Sequence, residues 1–242
     1  MSKNKVEKLD VLAFGAHPDD VEAGCGGMVA FLSGVGKKVG IIDLSQAELS
    51  TNGTVEERKK ESAAAADILG ACVRENLEMP NNFFFNSKEI QGKIIDVVRK
   101  YKPDMVLIPY WFDRHPDHES VRSLVWPALF TSGLLKYESS YDRHRPEFVF
   151  FYRLWYEFTP SFIFDISDHF ETKMESIRAY ESQFSKGKGR IETKDNEKQF
   201  FDFWHARHVN DGYQVGAKYG EPYLSATPLG VRHLNSFLPN YS

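Results

Sequence analysis

The feature that most constrains this sequence is a repeated alternation of short apolar segments with longer helix-forming segments. Residues 9–15 and 39–44 are apolar runs with little polar alternation, which is typical of strands buried on both faces. Between them lies a helix-like segment that extends to about Leu32, and the glycines at positions 34 and 36 predict its end. The order strand, helix, strand predicts a βαβ unit with parallel strands.

The same alternation continues towards the C-terminus. Thr54 and Glu57 have the spacing of a capping box before an alanine-rich helix, and Gly70 predicts where that helix ends. The other predicted elements are strands at 77–79 and 105–109, two strands within 147–166, and helices at 86–101, 168–184 and 198–219. The pattern predicts an α/β fold with an open, mostly parallel, Rossmann-like sheet and helices on both faces. At 242 residues we expect one domain, residues 1–242.

The composition narrows the class of partner. A formal net charge of −4 provides no basic surface for nucleic acid or for an anionic membrane, so we expect a small-molecule substrate and neither of those partners. Residues 1–8 are polar and charged and lack the apolar stretch of a secretory signal, which predicts a cytoplasmic protein. Cys25 and Cys72 are too few for a disulfide scaffold and lack the spacing of a thiolate metal site.

Three polar loops follow three of the predicted strands. They span residues 16–20, 45–53 and 110–118. In an open parallel sheet, these loops lie at the carboxyl edge, where ligands bind in the crevice between them. Residues far apart in the sequence are therefore expected to meet in one site.

The first and third of these loops carry metal-ligand chemistry. His17 precedes Asp19 and Asp20 in the first loop, and the third loop contains His115 and His118. A catalytic zinc site commonly uses three protein nitrogen or oxygen ligands and keeps a fourth position for water, and a His, carboxylate, His set can be assembled here. The residues alone do not decide which carboxylate binds the metal. They are also compatible with simple capping of two helices.

Two other classes of protein have to be weighed. A dinucleotide-binding Rossmann protein needs a G-x-G-x-x-G turn after the first strand, but this turn carries two carboxylates where a pyrophosphate would lie. A sugar-binding module without catalytic activity would need neither a metal nor an acid/base pair. The loop composition therefore favours a metal-dependent hydrolase over both alternatives.

Several motifs together resemble one enzyme family. They are the HPDD loop after an apolar strand, Glu48 within AELSTNG, the Glu57–Arg58 pair, and the DRHPDHE loop. The sequence is similar to the PIG-L/LmbE-like zinc deacetylases from about residue 9 to the GAKYGEPY stretch near the C-terminus. The resemblance implies an LmbE-like fold, a zinc ion and a homo-oligomer. Because a His, Asp, His set also accepts ferrous iron, that ion stays an alternative in the cell.

The resemblance also implies a role for each site residue. Zinc would be held by His17, Asp20 and His118. Asp19 would be the general base, and His115 would stabilise the oxyanion.

The expected reaction is removal of the acetyl group from an N-acetylglucosamine conjugate. Within the family, the sequence resembles the bacillithiol-biosynthesis branch, and this resemblance implies N-acetylglucosaminyl malate as the substrate. Arg58 and Arg114 are the expected substrate-binding residues, because a guanidinium grips a carboxylate through two parallel hydrogen bonds. Other N-acetylglucosamine conjugates and thiol S-conjugates stay as alternatives. Gln46 and Asn52 depart from the arginine and glycines of many relatives, so the contacts of that loop are left open.

Overall fold

The computed structural model describes residues 7–186, 189–193 and 198–230. The cytoplasmic prediction depends on residues 1–8, of which 1–6 lie outside this range. The strands are β1 (Val11–Gly15), β2 (Val39–Ser45), β3 (Val73–Met79), β4 (Met105–Pro109), β5 (Phe148–Tyr152), β6 (Phe162–Asp165) and β7 (Gly220–Ser225). The helices are α1 (Asp20–Gly34), α2 (Val55–Leu69), α3 (Lys88–Tyr101), α4 (Pro116–Ser132), α5 (Phe170–Arg178), α6 (Glu181–Phe184) and α7 (Lys198–Tyr213).

The strands form one sheet in the order β3-β2-β1-β4-β5-β7-β6. The five strands from β3 to β5 are parallel, and β7 runs antiparallel to both of its neighbours. This confirms the predicted open, mostly parallel α/β fold. The connections leave β1 and β4 towards opposite sides, so the crevice between their carboxyl ends is a topological switch point.

Two apolar layers cover the sheet. Val11 and Ala13 of β1 belong to a core shared with α1, α5 and α7, whereas Leu12 and Phe14 belong to a core shared with α3 and α4. This alternation follows from the period of two along a strand, since neighbouring side chains point to opposite faces. Helices therefore lie on both faces of the sheet, as predicted.

Local sequence signals explain where the helices begin and end, with some corrections. The Thr54 Oγ1 atom accepts from the Glu57 N–H at 3.1 Å, the Glu57 carboxylate accepts from the Thr54 N–H at 2.9 Å, and Gly70 ends α2 with φ 70°. The predicted start of α3 at Asn86 was wrong by one residue, because the Ser87 side chain accepts from the Ile90 N–H and caps the helix.

Four further elements differ from the sequence predictions. The predicted helix at 168–184 is two helices, α5 and α6, and the predicted helix at 198–219 ends at Tyr213. A left-handed Gly216, with φ 74°, follows that end. The helix α4 and the strand β7 were not predicted. Within the described part of the chain, no helix is both long enough and apolar enough to cross a membrane.

Candidate metal centre and active site

The loop between β1 and α1 presents the Asp20 carboxylate through its own backbone. The Asp20 Oδ2 atom accepts hydrogen bonds from the N–H groups of Ala16 (2.8 Å) and His17 (3.0 Å). Asp19 precedes the helix with φ 127°, in a region that a residue other than glycine rarely occupies. Such local strain is typical of functional sites, where the surrounding structure enforces it.

The loop between β4 and α4 presents two imidazoles. Pro116 occupies the first turn of α4, and His115 caps the helix by accepting the Asp117 N–H at its Nδ1 atom, at 3.2 Å. His118 lies in the first turn, where the Asp113 carboxylate is 2.9 Å from its Nδ1 atom. The same carboxylate oxygen accepts the His115 N–H at 3.0 Å, so Asp113 fixes both the ring and the loop.

The structure brings the two loops together at the switch point. The His118 Nε2 atom lies 3.1 Å from the Asp20 Oδ1 atom, and the His17 Nδ1 atom lies 3.7 Å from Asp20 Oδ2. Ligand atoms of His17, His115 and His118 all lie within 4.8 Å of one another. The expected metal ligands and the expected oxyanion residue therefore surround one position.

The donor set fits a divalent metal ion. Imidazole nitrogens and a carboxylate oxygen suit zinc, and ferrous iron accepts the same set. The His118 Nδ1 atom, on the side of the ring away from Asp20, lies 2.9 Å from the Asp113 carboxylate. The His17 Nε2 atom lies 2.9 Å from the Asp117 carboxylate. A carboxylate behind each ligand imidazole is the usual arrangement at metal sites, because it fixes the tautomer and the ring orientation.

The charges around His118 indicate a site built for a cation. Burial lowers the pKa of His118, but the carboxylates of Asp20 and Asp113 outweigh burial and raise that pKa to about 10. Burial raises the pKa of Asp20, but His118 and His17 outweigh it and hold this pKa well below its ordinary value. In the metal-free protein, His118 thus carries a proton between two carboxylates. A metal ion would replace that proton, so metal binding and proton release are coupled.

The pKa of the Asp19 carboxyl is raised and the pKa of His115 is lowered, opposite to the shifts of Asp20 and His118. Burial raises the pKa of Asp19 to about 8, although Arg58 opposes the shift. Burial, together with His17 and His118, lowers the pKa of His115 to about 4. His115 is therefore neutral at pH 7, and because its Nδ1 atom accepts a hydrogen bond, its proton lies on Nε2. Asp19 can therefore exchange a proton near neutral pH, and His115 can donate a hydrogen bond through its Nε2–H.

The structure places Arg58 under the HPDD loop. Its Nη2 atom donates to the Pro18 carbonyl at 2.6 Å and lies 3.2 Å from the Asp19 Oδ2 atom. Only 3% of Arg58 is exposed, and its guanidinium lies over the Tyr180 ring at 5.5 Å. These contacts support the loop and hold Asp19, while Arg58 also lines the cavity.

A cavity of about 260 Å³ opens above the metal-ligand cluster. Its walls include Asn81, Arg114, Trp155, Phe200 and Trp204. Arg114 is exposed, and its guanidinium carbon lies 3.4 Å from the centre of the Trp155 ring. This stacking orients a cationic group at the wall of the cavity.

Comparison with known proteins identifies the family. The model of the PIG-L family, described as GlcNAc-PI de-N-acetylase, matches residues 12–129. Diacetylchitobiose deacetylase from Thermococcus kodakarensis is 32% identical over 196 residues, which cover 75% of this chain and 72% of that protein. The chain belongs to the PIG-L/LmbE-like deacetylase family.

Solved structures agree with this assignment to the PIG-L/LmbE-like family. A conserved protein from Thermus thermophilus superimposes with a TM-score of 0.84 and 34% identity, over 92% of this chain and 97% of that one. The N,N'-diacetylchitobiose deacetylase from Pyrococcus horikoshii gives a TM-score of 0.78 and 25% identity, over 92% and 84% of the two chains. The fold is therefore shared with these proteins over nearly the full length of the described chain.

Sequence reasoning missed several residues at the site of this PIG-L/LmbE-like protein. Asp113 and Asp117 flank the predicted ligands within DRHPDHE, and their position beside two histidines was the signal available for them. Asn81 belongs to the loop after β3, where no motif indicates function, yet its amide nitrogen lies 2.9 Å from the His17 Nε2 atom. Trp155 lies in the segment 147–166, which was predicted only as two strands, yet it forms a wall of the cavity.

Proposed function

We propose that this protein is a zinc-dependent N-deacetylase that hydrolyses the acetamido group of an N-acetylated amino sugar. The observation that carries the proposal is the convergence of His17, Asp20 and His118 with Asp19 and His115 below one cavity. A dinucleotide-binding protein would instead offer backbone N–H groups to a pyrophosphate at this turn. Family membership supports a deacetylase of sugar-like substrates.

The residues would divide the reaction as follows. A bound zinc ion lowers the pKa of water and polarises the acetyl carbonyl. Asp19 accepts the proton of the attacking water and passes it to the departing amine, a task that suits a carboxylate with a pKa near neutrality. The His115 Nε2–H donates to the carbonyl oxygen as negative charge develops on it. Arg58 keeps Asp19 in place through its contacts with Pro18 and Asp19.

The cavity limits the size of the group that reaches the ligands. Its volume of about 260 Å³ is below the ~300–1,000 Å³ that is typical of drug-sized sites, so it suits one sugar ring. The remainder of the substrate would lie at the wall that carries Arg114. For this reason we propose N-acetylglucosaminyl malate as the substrate, with Arg114 near the malate carboxylates. An N-acetylated chitobiose is the second candidate, because two of the similar proteins are named as diacetylchitobiose deacetylases.

A substrate panel tests this proposal. The enzyme is freed of metal, loaded with zinc or with ferrous iron, and assayed for acetate release from N-acetylglucosaminyl malate, N,N'-diacetylchitobiose and N-acetylglucosamine. We expect the malate conjugate to have the highest kcat/KM. Faster turnover of diacetylchitobiose would refute the malate assignment and leave the deacetylase assignment in place. No acetate release from any of the three would contradict the proposed function.

A further inference from the structure

The Asp117 carboxylate behind His17 is held by a loop that supplies none of the expected metal ligands. Its Oδ2 atom lies 2.9 Å from the His17 Nε2 atom, 2.6 Å from the Asn81 Nδ2 atom and 2.9 Å from the Asn82 backbone nitrogen. Asn82 has φ 66°, a left-handed conformation that asparagine tolerates well. The loop after β3 therefore wraps its N–H donors around the oxygen that orients His17.

Asn81 is itself fixed from the opposite side. Its backbone N–H donates to the Glu48 carboxylate at 2.7 Å, and its Oδ1 atom accepts the Leu49 N–H at 3.3 Å. Asn81 is 5% exposed, so these contacts are made in a buried position. Because the Leu49 N–H determines which end of the amide is oxygen, the amide nitrogen must point towards Asp117 and His17. Asn81 thus connects the loops that follow β1, β2, β3 and β4.

This arrangement determines which nitrogen of His17 faces the expected metal position. The Asn81 and Asn82 donors hold Asp117 Oδ2 in place, 2.9 Å from the His17 Nε2 atom. With Nε2 turned towards Asp117, His17 presents its Nδ1 atom on the side of Asp20, at 3.7 Å from Oδ2. Without Asn81, the Asp117 carboxylate loses one of the two N–H donors that this loop supplies, and the His17 ring loses a neighbour that limits its rotation.

We propose that Asn81 is a positioning residue for the metal site, which acts through Asp117 on His17 and is held in place by Glu48. The inference rests on the proposed function, since it requires that His17 bind a metal. The inference also gives a role to Glu48, a residue of the AELSTNG motif for which the sequence indicated no function. Removal of partners behind a metal ligand typically weakens metal affinity roughly 10- to 100-fold.

The test compares zinc affinity in the full-length protein and in Asn81→Ala by competition with a chromophoric chelator. Absorption spectra of the cobalt-substituted proteins report ligand geometry independently of activity. The matched control is Asn86→Ala in the same loop, where the exposed Asn86 side chain accepts only a Gln91 amide among the described contacts. We expect Asn81→Ala to bind zinc roughly 10- to 100-fold more weakly, with an altered cobalt spectrum, and Asn86→Ala to match the unmodified protein.

The outcomes distinguish a failure of the proposed metal site from a failure of the positioning role of Asn81. Failure of the unmodified protein to bind zinc would refute the proposed metal site itself. If the unmodified protein binds zinc and Asn81→Ala matches it in affinity and in cobalt spectrum, the positioning role is wrong. If Asn81→Ala does not fold, Glu48→Ala decides, because it loosens Asn81 without touching the ligands. A weaker zinc affinity in Glu48→Ala would support the proposal, and an unchanged affinity would overturn it.

Discussion

Replacement of Asp113 by asparagine removes one of the two carboxylates beside His118 and keeps the shape of the side chain. In the structure, Asp113 accepts from the Trp155 N–H at 2.9 Å through Oδ2, while Oδ1 contacts the ring of His118 and the His115 N–H. An asparagine can supply one of these acceptors but not both. The variant therefore loses a charge-assisted hydrogen bond behind His118, or it leaves the Trp155 N–H without its acceptor.

The size of the effect depends on pH, because two consequences oppose each other. A partner carboxylate strengthens metal binding roughly 10- to 100-fold, which is about 1.4–2.7 kcal/mol. The same carboxylate helps to raise the pKa of His118 to about 10, so zinc must displace a proton below that pH. In the unmodified protein, the His118 contribution makes zinc affinity rise about tenfold per pH unit up to that pKa. Asp113→Asn lowers the pKa of His118, so proton competition in the variant ends at a lower pH.

The deficit of Asp113→Asn in zinc affinity should therefore widen as pH rises from about 6.5 to about 9, and it reaches the full 10- to 100-fold only above the His118 pKa of about 10. The measurement is a chelator competition titration of both proteins at several pH values. Thermal unfolding of the metal-free proteins reports the separate stability cost at Trp155. A deficit that is constant or that shrinks with rising pH would refute this reasoning about Asp113 and His118.

Three further substitutions test other parts of the account. Asp19→Asn should keep zinc bound and lower kcat about 10²- to 10⁴-fold. Asp20→Asn should instead lose zinc in a metal analysis. Equal metal loss in both variants would show that the roles of the two carboxylates are assigned wrongly. Arg58→Ala should lower kcat/KM equally for N-acetylglucosaminyl malate and N-acetylglucosamine, because Arg58 holds Asp19. If steady-state kinetics show a loss for the malate conjugate alone, Arg58 instead binds the substrate carboxylates. Gly24→Ala should destabilise the protein by about 1–3 kcal/mol, since its Cβ atom would lie 2.1 Å from the Tyr152 ring, and an unchanged Tm would show that this packing is not tight.

The sequence predicted the parts of the fold and the site that depend on local patterns. The apolar runs before His17 and before the DRHPDHE loop identified β1 and β4, and the parallel order placed both loops at one edge. β7 was missed because Gly220 and Pro222 are depleted in strands, and its place between β5 and β6 depends on distant pairing. The break between α5 and α6 was also missed, since no glycine or proline lies within residues 168–184 to indicate it.

The supporting residues of the site were less accessible from sequence. Asp113 is two residues from His115, but only the folded loop shows that its carboxylate turns towards His118. Asn81 lies 64 residues from His17, and no motif links them. The role of Arg58 also depended on geometry, because the same helix position could direct the guanidinium at a substrate or at the HPDD loop.

The central claim is that acetate release requires a metal held by His17, Asp20 and His118. Zinc is removed from the protein and added back stepwise, and acetate release from N-acetylglucosaminyl malate is measured at each step, with His118→Ala treated in parallel. If this claim holds, the metal-free protein is inactive, activity rises with zinc until about one ion is bound per chain, and His118→Ala retains neither zinc nor activity. Undiminished acetate release by the metal-free protein, or full zinc occupancy and activity in His118→Ala, would contradict it.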